Sequence, residues 1–167
     1  TEEKVSHTFT FNINGEETDI RMGGYIDRLD MSGGKIRVID YKTGSRQQKE
    51  LKSTDDIFDA SKIESHTDYY LQTLLYAVII AADKSINPMS LPVTPQLFFV
   101  QKMSSRDFSP SLVINGAEID DARDIAKEYI EGLQRLLADI LNPELPFAPT
   151  SRTATCLTCP LSQICRT

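Results

Sequence analysis

Residues 5–13 (VSHTFTFNI) alternate apolar and polar positions, the period-two pattern of a strand with one face buried. Asn14-Gly15 follows as a hairpin turn signal, so a second strand is expected over about Thr18 to Leu29. The residues MSGG at 31–34 read as the next turn and Lys35 to Lys42 as a third strand, giving an antiparallel meander. Placing Asp30 opposite Lys35 sets Asp27 opposite Val38, with Asp27, Val38, Asp40 and Lys42 on one face. Gly23-Gly24 marks a bulge or a close backbone approach within the second strand.

Beyond the meander, Gly44 to about Ser65 is polar and reads as a long loop with a short helix near Asp55 to Lys62. Thr67 to Lys84 is apolar over much of its circumference, which predicts a buried helix ended by Asn87-Pro88. Thr94 to Lys102 is apolar on both faces and is expected as a central strand. Leu112 to Ile114 is a short strand before Asn115-Gly116. Ala117 to Leu141 reads as a long helix whose acidic N-terminal half suits the helix dipole. The expected fold class is α/β, a mixed central β-sheet flanked by α-helices with a cysteine-containing C-terminal tail.

A chain of 167 residues, 40% hydrophobic and 25% charged, suits one globular domain. The longest apolar run, Ala77 to Ala82, cannot span a membrane, and the first residues do not form a secretory signal, so a cytoplasmic protein with no membrane partner is expected. The net charge of −6 opposes a broadly basic surface. Its distribution weakens that objection: from Arg21 to Lys52 there are eight basic and four acidic residues. Within that stretch Arg28, Arg46, Lys49 and Lys52 are candidate DNA contacts, although the basic residues from Arg46 to Lys52 also read as a solvated loop. Cys156, Cys159 and Cys165 cluster at the C-terminus, a poor disulfide framework and a better metal or cluster site in a reducing compartment.

The chemistry concentrates at GGYIDRLD and VIDYKTG. Asp27 and Asp40 offer hard oxygen ligands for Mg²⁺ or Mn²⁺, and the Tyr41 backbone carbonyl offers another. Lys42 is placed to orient a water or to stabilise charge developing on a phosphate. Together they point to metal-dependent hydrolysis of a phosphodiester. The plainer reading makes Asp27 and Asp40 surface acids paired with Arg28 or Lys35, and Lys42 a turn lysine.

At these residues the chain resembles the PD-(D/E)XK nuclease superfamily, with its restriction-endonuclease-like core. Within it the chain is similar to the RecB-type exonuclease domain of AddB-like helicase–nucleases and CRISPR-associated adaptation exonucleases. The resemblance rests on Asp27 in GGYIDRLD, Asp40 and Lys42 in VIDYKTG, and Gln72 and Tyr76 in LQTLLYA on the following helix. It implies an exonuclease that acts on DNA ends or single strands beside a helicase subunit or domain, in double-strand break repair. It also implies that Gln72 positions water or the lysine and that Tyr76 contacts substrate or supports the site. The spacing CLTCPLSQIC matches three ligands of a [4Fe–4S] cluster in iron–sulfur members, with Cys156, Cys159 and Cys165 as those three.

Two departures accompany the resemblance. A cluster needs a fourth thiolate, and the metal-binding histidine that many members carry on an upstream helix has no counterpart here. His7 falls in the first strand and His66 lies downstream. The chain is therefore expected to be the C-terminal part of a longer protein, with residues 1–148 as nuclease core and residues 149–167 as a loosely held cysteine tail. Two other functions stay open: a catalytically silent nuclease-like module for DNA binding or assembly, and a small interaction domain with zinc on the cysteines.

Overall fold

The computed structural model describes residues 2–44, 49–146, 148, 156–157, 159–162 and 164. Strands β1 (Glu3–Ile13) and β2 (Glu16–Ile26) form an antiparallel hairpin. Its turn is Asn14-Gly15, both at positive φ (53° and 92°), the geometry that matches strand twist. Strand β3 (Arg28–Ser32) pairs antiparallel with β4 (Lys35–Lys42), and β4 pairs parallel with β5 (Val93–Phe99), so the sheet β3-β4-β5 is mixed.

The expected second strand breaks at Asp27, between β2 and β3. There the Asp27 carboxylate accepts the Tyr41 backbone N–H at 2.7 Å. A side chain thus satisfies a donor that a continuous strand would have met with its backbone. The β3–β4 turn also differs from expectation. It is the two-residue pair Gly33-Gly34, both at positive φ, and Ser32 faces Lys35. The register is therefore displaced by two residues, with Leu29 opposite Val38. An even displacement keeps every side chain on its face. It also brings Asp27, one step before Arg28↔Ile39, level with Asp40.

Helix α1 (Thr67–Ala82) packs on β1, β2, β4 and β5, which is why it is apolar nearly all round. Tyr70, Leu74, Ala77, Ile79 and Ile80 are fully buried there against Ile36, Val38, Val93 and Leu97. After α1, the side chain of Asn87 donates to the Leu91 carbonyl and accepts its N–H, closing the turn that leads into β5. Helix α2 (Ala126–Ile140) packs on β1 and on the 3₁₀ turn Thr54–Phe58, and the Tyr129 hydroxyl donates to the Leu71 carbonyl of α1 at 2.7 Å.

Two further expectations are corrected. β4, not β5, is the central strand. β5 ends at Phe99 and its outer edge is covered by the segment around Pro110 and Ser111. It is apolar on both faces because α1 packs on the Phe99 side and the Tyr41 and Phe108 rings meet Phe98 on the other. Pro95, which has no N–H to give a ladder, fits such an edge. The long helix is shorter than expected. Ala117–Glu118 pairs as a strand, β7, with β6 (Val113–Ile114), and Asp121 then accepts the Arg123 N–H ahead of a 3₁₀ turn. The short helix expected near Asp55 to Lys62 is present as two 3₁₀ helices, Thr54–Phe58 and Ala60–Ser65. Among the described residues, no helix is long and apolar enough to cross a membrane.

Candidate active site

The candidate site lies where β4 ends beneath α1. Period two puts Ile36, Val38, Asp40 and Lys42 on one face of β4, and the first two are wholly buried beside α1. Asp40 is only 6% exposed. Burial raises its pKa above the ordinary carboxylate range, Lys42 opposes that shift, and the neighbouring charge of Asp27 adds to it. Lys42 Nζ lies 2.7 Å from Asp40 Oδ2. The two form a buried ion pair, and the ammonium is what faces Oδ2.

α1 completes the site from above. Gln72 Oε1 accepts from Lys42 Nζ at 3.1 Å, and Gln72 Nε2 lies 3.5 Å from the Tyr76 hydroxyl. Residues four apart share a helix face, which lets one stripe of α1 meet one strand end. Gly24 on β2 gives Tyr76 its place, because a Cβ at that position would press into the Tyr76 hydroxyl. Gly23 is equally constrained, since a Cβ there would overlap the Val5 carbonyl, and the glycine pair marks a close approach. Gly24→Ala is expected to destabilise the protein by about 1–3 kcal/mol through overpacking. Tyr76→Phe in the same chain should recover part of that loss, because it removes the first atom met. Denaturant unfolding of the single and double variants checks this, and strictly additive losses would contradict it.

Asp27, Asp40, Lys42, Gln72 and Tyr76 are thus linked through contacts of their own or of an immediate neighbour. The plainer pairings are not the ones formed: Arg28 pairs with Asp30 at 2.8 Å and Lys35 with Asp120 at 2.9 Å, both on the exposed side. Arg28 also reaches the Tyr41 hydroxyl at 3.5 Å, which ties it to the strand that carries the site. The remaining basic candidates are more dispersed. The Lys49 N–H donates to the Ser65 carbonyl just before α1. Lys52 lines a cleft of 430 Å³ with Thr54, Asp121, Asp124 and Glu128, a cleft that none of Asp27, Asp40 and Lys42 reaches. Arg46 lies outside the described residues, as does Cys165. Cys156 and Cys159 are half-buried in one turn, where the Cys159 N–H donates to the Cys156 carbonyl at 3.4 Å.

One neighbour escaped the sequence reading. The Tyr69 ring centroid lies 4.5 Å from Lys42 Nζ, and the His66 ring stacks on Tyr69 at 4.7 Å and 15°. A signal was present: Tyr69, Gln72 and Tyr76 follow the i, i+3, i+7 spacing of a single helix stripe. The adjacent Tyr70 masked it, being equally aromatic but directed to the Val113 backbone and fully buried.

The donor set suits a small hard cation. Asp40 presents a buried carboxylate, a second carboxylate lies level with it and close enough to raise its pKa, and both are hard oxygen donors. Among the described residues no group of three His, Cys, Asp or Glu side chains converges. Mg²⁺ is commonly held by one or two carboxylates with water and substrate phosphate, so two suffice.

A family model of the PD-(D/E)XK nuclease superfamily matches residues 1–166, and the chain belongs to that superfamily. No curated protein and no solved structure matches the chain. The mixed sheet with its two helices is consistent with the restriction-endonuclease-like fold of that superfamily.

Proposed function

We propose that this domain hydrolyses phosphodiester bonds of DNA with Mg²⁺ or Mn²⁺, as an exonuclease of the RecB-type, AddB-like branch working beside a helicase in break repair. The observation that carries the reading is the bond from Lys42 to Gln72, which joins the Asp-x-Lys strand to the Gln-x-x-x-Tyr helix. Asp27 and Asp40 would hold the cation with the Tyr41 carbonyl. Bound there, it would neutralise phosphate charge and lower the pKa of a water. Lys42 brings the ammonium to a non-bridging phosphate oxygen or to the attacking water, and stabilises negative charge as it grows at phosphorus. Gln72 accepts from Lys42 and so limits its rotamers, and Tyr76 in turn backs Gln72. Arg28, on the exposed side of β3, would contact the DNA backbone, with Arg46 and Lys49 as further contacts. Cys156, Cys159 and Cys165 would supply three thiolates of a [4Fe–4S] cluster, with the fourth from a cysteine upstream of the nuclease core in a longer parent.

The test is degradation of end-labelled linear DNA, single- and double-stranded, with closed circular DNA alongside, in Mn²⁺, Mg²⁺ and EDTA. The expected result is mononucleotide or short-oligonucleotide release from linear DNA only, abolished by EDTA and by Asp27→Asn. Cutting of circular DNA would replace the exonuclease assignment by an endonuclease. No cleavage under any condition, by folded protein, would favour a silent DNA-binding or assembly module.

A further inference from the structure

We propose that Tyr69 is a positioning residue for the Lys42 ammonium, holding it over the face of the aromatic ring. The proposal rests on the role given to Lys42 above. Three groups surround Nζ: Asp40 Oδ2 at 2.7 Å, Gln72 Oε1 at 3.1 Å, and the Tyr69 ring with its centroid at 4.5 Å. Asp40 and Lys42 are two apart on one strand, so their pairing follows from the β-strand itself. Gln72 and Tyr69 approach from α1 instead, one turn apart, and fix the ammonium from the helix side while it keeps its contact with Asp40. The separation is within the roughly 6 Å at which a ring face attracts a cation. The Lys42 side chain is only 16% exposed, so water competes weakly and the attraction sits toward its stronger end.

The ring is itself held. His66 stacks nearly parallel to it, and Phe99 lies tilted 6.2 Å away. Phe99 is the register partner of Lys42 on β5, so the sheet that sets the lysine also sets the ring. His66 takes a left-handed backbone conformation (φ 56°, ψ 47°) at the start of α1, a conformation uncommon for a residue with a side chain.

A ring that merely packs would be replaceable by any side chain of similar bulk. A ring that acts through its face would not. The experiment therefore compares Tyr69→Leu, Tyr69→Phe and a series of progressively fluorinated phenylalanines at position 69, with single-turnover DNA cleavage as readout. Fluorination keeps the shape and drains negative charge from the ring face. Tyr69→Leu should lower kcat about ten-fold with little change in KM. Tyr69→Phe should stay near the wild-type value, and kcat should fall stepwise with each added fluorine. The Lys42 ε-methylene protons report the contact without any reaction. They should resonate upfield in the wild type and in Tyr69→Phe, and lose that shift in Tyr69→Leu. Unchanged turnover across the fluorinated series, with wild-type cleavage intact, would overturn the role of Tyr69 alone. Wild-type protein that shows no Lys42-dependent cleavage would overturn the nuclease reading and this role with it.

Discussion

Lys42→Ala is expected to lower kcat for cleavage of linear DNA by about 10²–10³, the usual loss when one preorganised donor to a developing charge is removed. The ammonium is nearly buried and fixed by Asp40, Gln72 and Tyr69, so it needs no reorganisation when charge builds at phosphorus. KM should change little, because the contact strengthens only in the transition state. Alanine also removes the positive charge that competes with a cation for Asp40, so cation affinity should not fall. Lys42→Arg separates charge from shape. It keeps the cation, but a planar guanidinium does not match a site built for a compact ammonium, and only partial activity should return. Single-turnover cleavage at saturating Mn²⁺, with circular dichroism as the check on folding, measures both. Lys42→Ala turnover within a few-fold of wild type would remove the lysine from the chemistry.

The second large effect has opposite signs in stability and function. Asp40→Asn should abolish cleavage and weaken Mn²⁺ binding by more than the roughly 10- to 100-fold typical of an outer-shell partner. It should nevertheless raise the melting temperature of the metal-free protein at neutral pH. The cause is the raised pKa of Asp40, set first by burial and only partly offset by Lys42. A carboxyl whose folded pKa lies above its unfolded value favours folding in acid, where it is protonated in both states. That contribution is lost as pH rises through the folded pKa. At pH 7 the ionised group is a net cost, and the neutral amide removes it. The gain should therefore shrink as pH falls toward the ordinary carboxylate range. In a chain of this length each kcal/mol corresponds to about 2–4 °C. Calorimetric melts in EDTA across pH, with Mn²⁺ titrations, check the pair of effects. A lower melting temperature for Asp40→Asn at pH 7 would show that the attraction to Lys42 outweighs desolvation.

Much of the candidate site could be read from local pattern because its members sit on regular elements. Asp40 and Lys42 share a face through the strand period, and Gln72 and Tyr76 share one through the helix period. The places where reading failed are those where a local signal had two solutions. MSGG served equally for a four-residue or a two-residue turn, and the positive φ of Gly33 and Gly34 selected the tighter one. Ala117 to Asp124 has helical composition, but pairing with β6 and the Asp121 cap claim its backbone first. β5 read as central because it is apolar on both faces, whereas a covering segment rather than a strand buries its outer edge.

The sequence by itself determined the alternation of β4, the buried character of α1 and the residue types at Asp27, Asp40, Lys42, Gln72 and Tyr76, because these depend on chain periodicity and side-chain chemistry. Only the tertiary structure decided that β2 breaks at Asp27, that Asp27 comes level with Asp40, and that Tyr69 and not Tyr70 meets Lys42. Those outcomes depend on which backbone donor needs an acceptor and on how α1 is rotated against the sheet. Both are settled by contacts between residues far apart in the chain, which no local pattern contains.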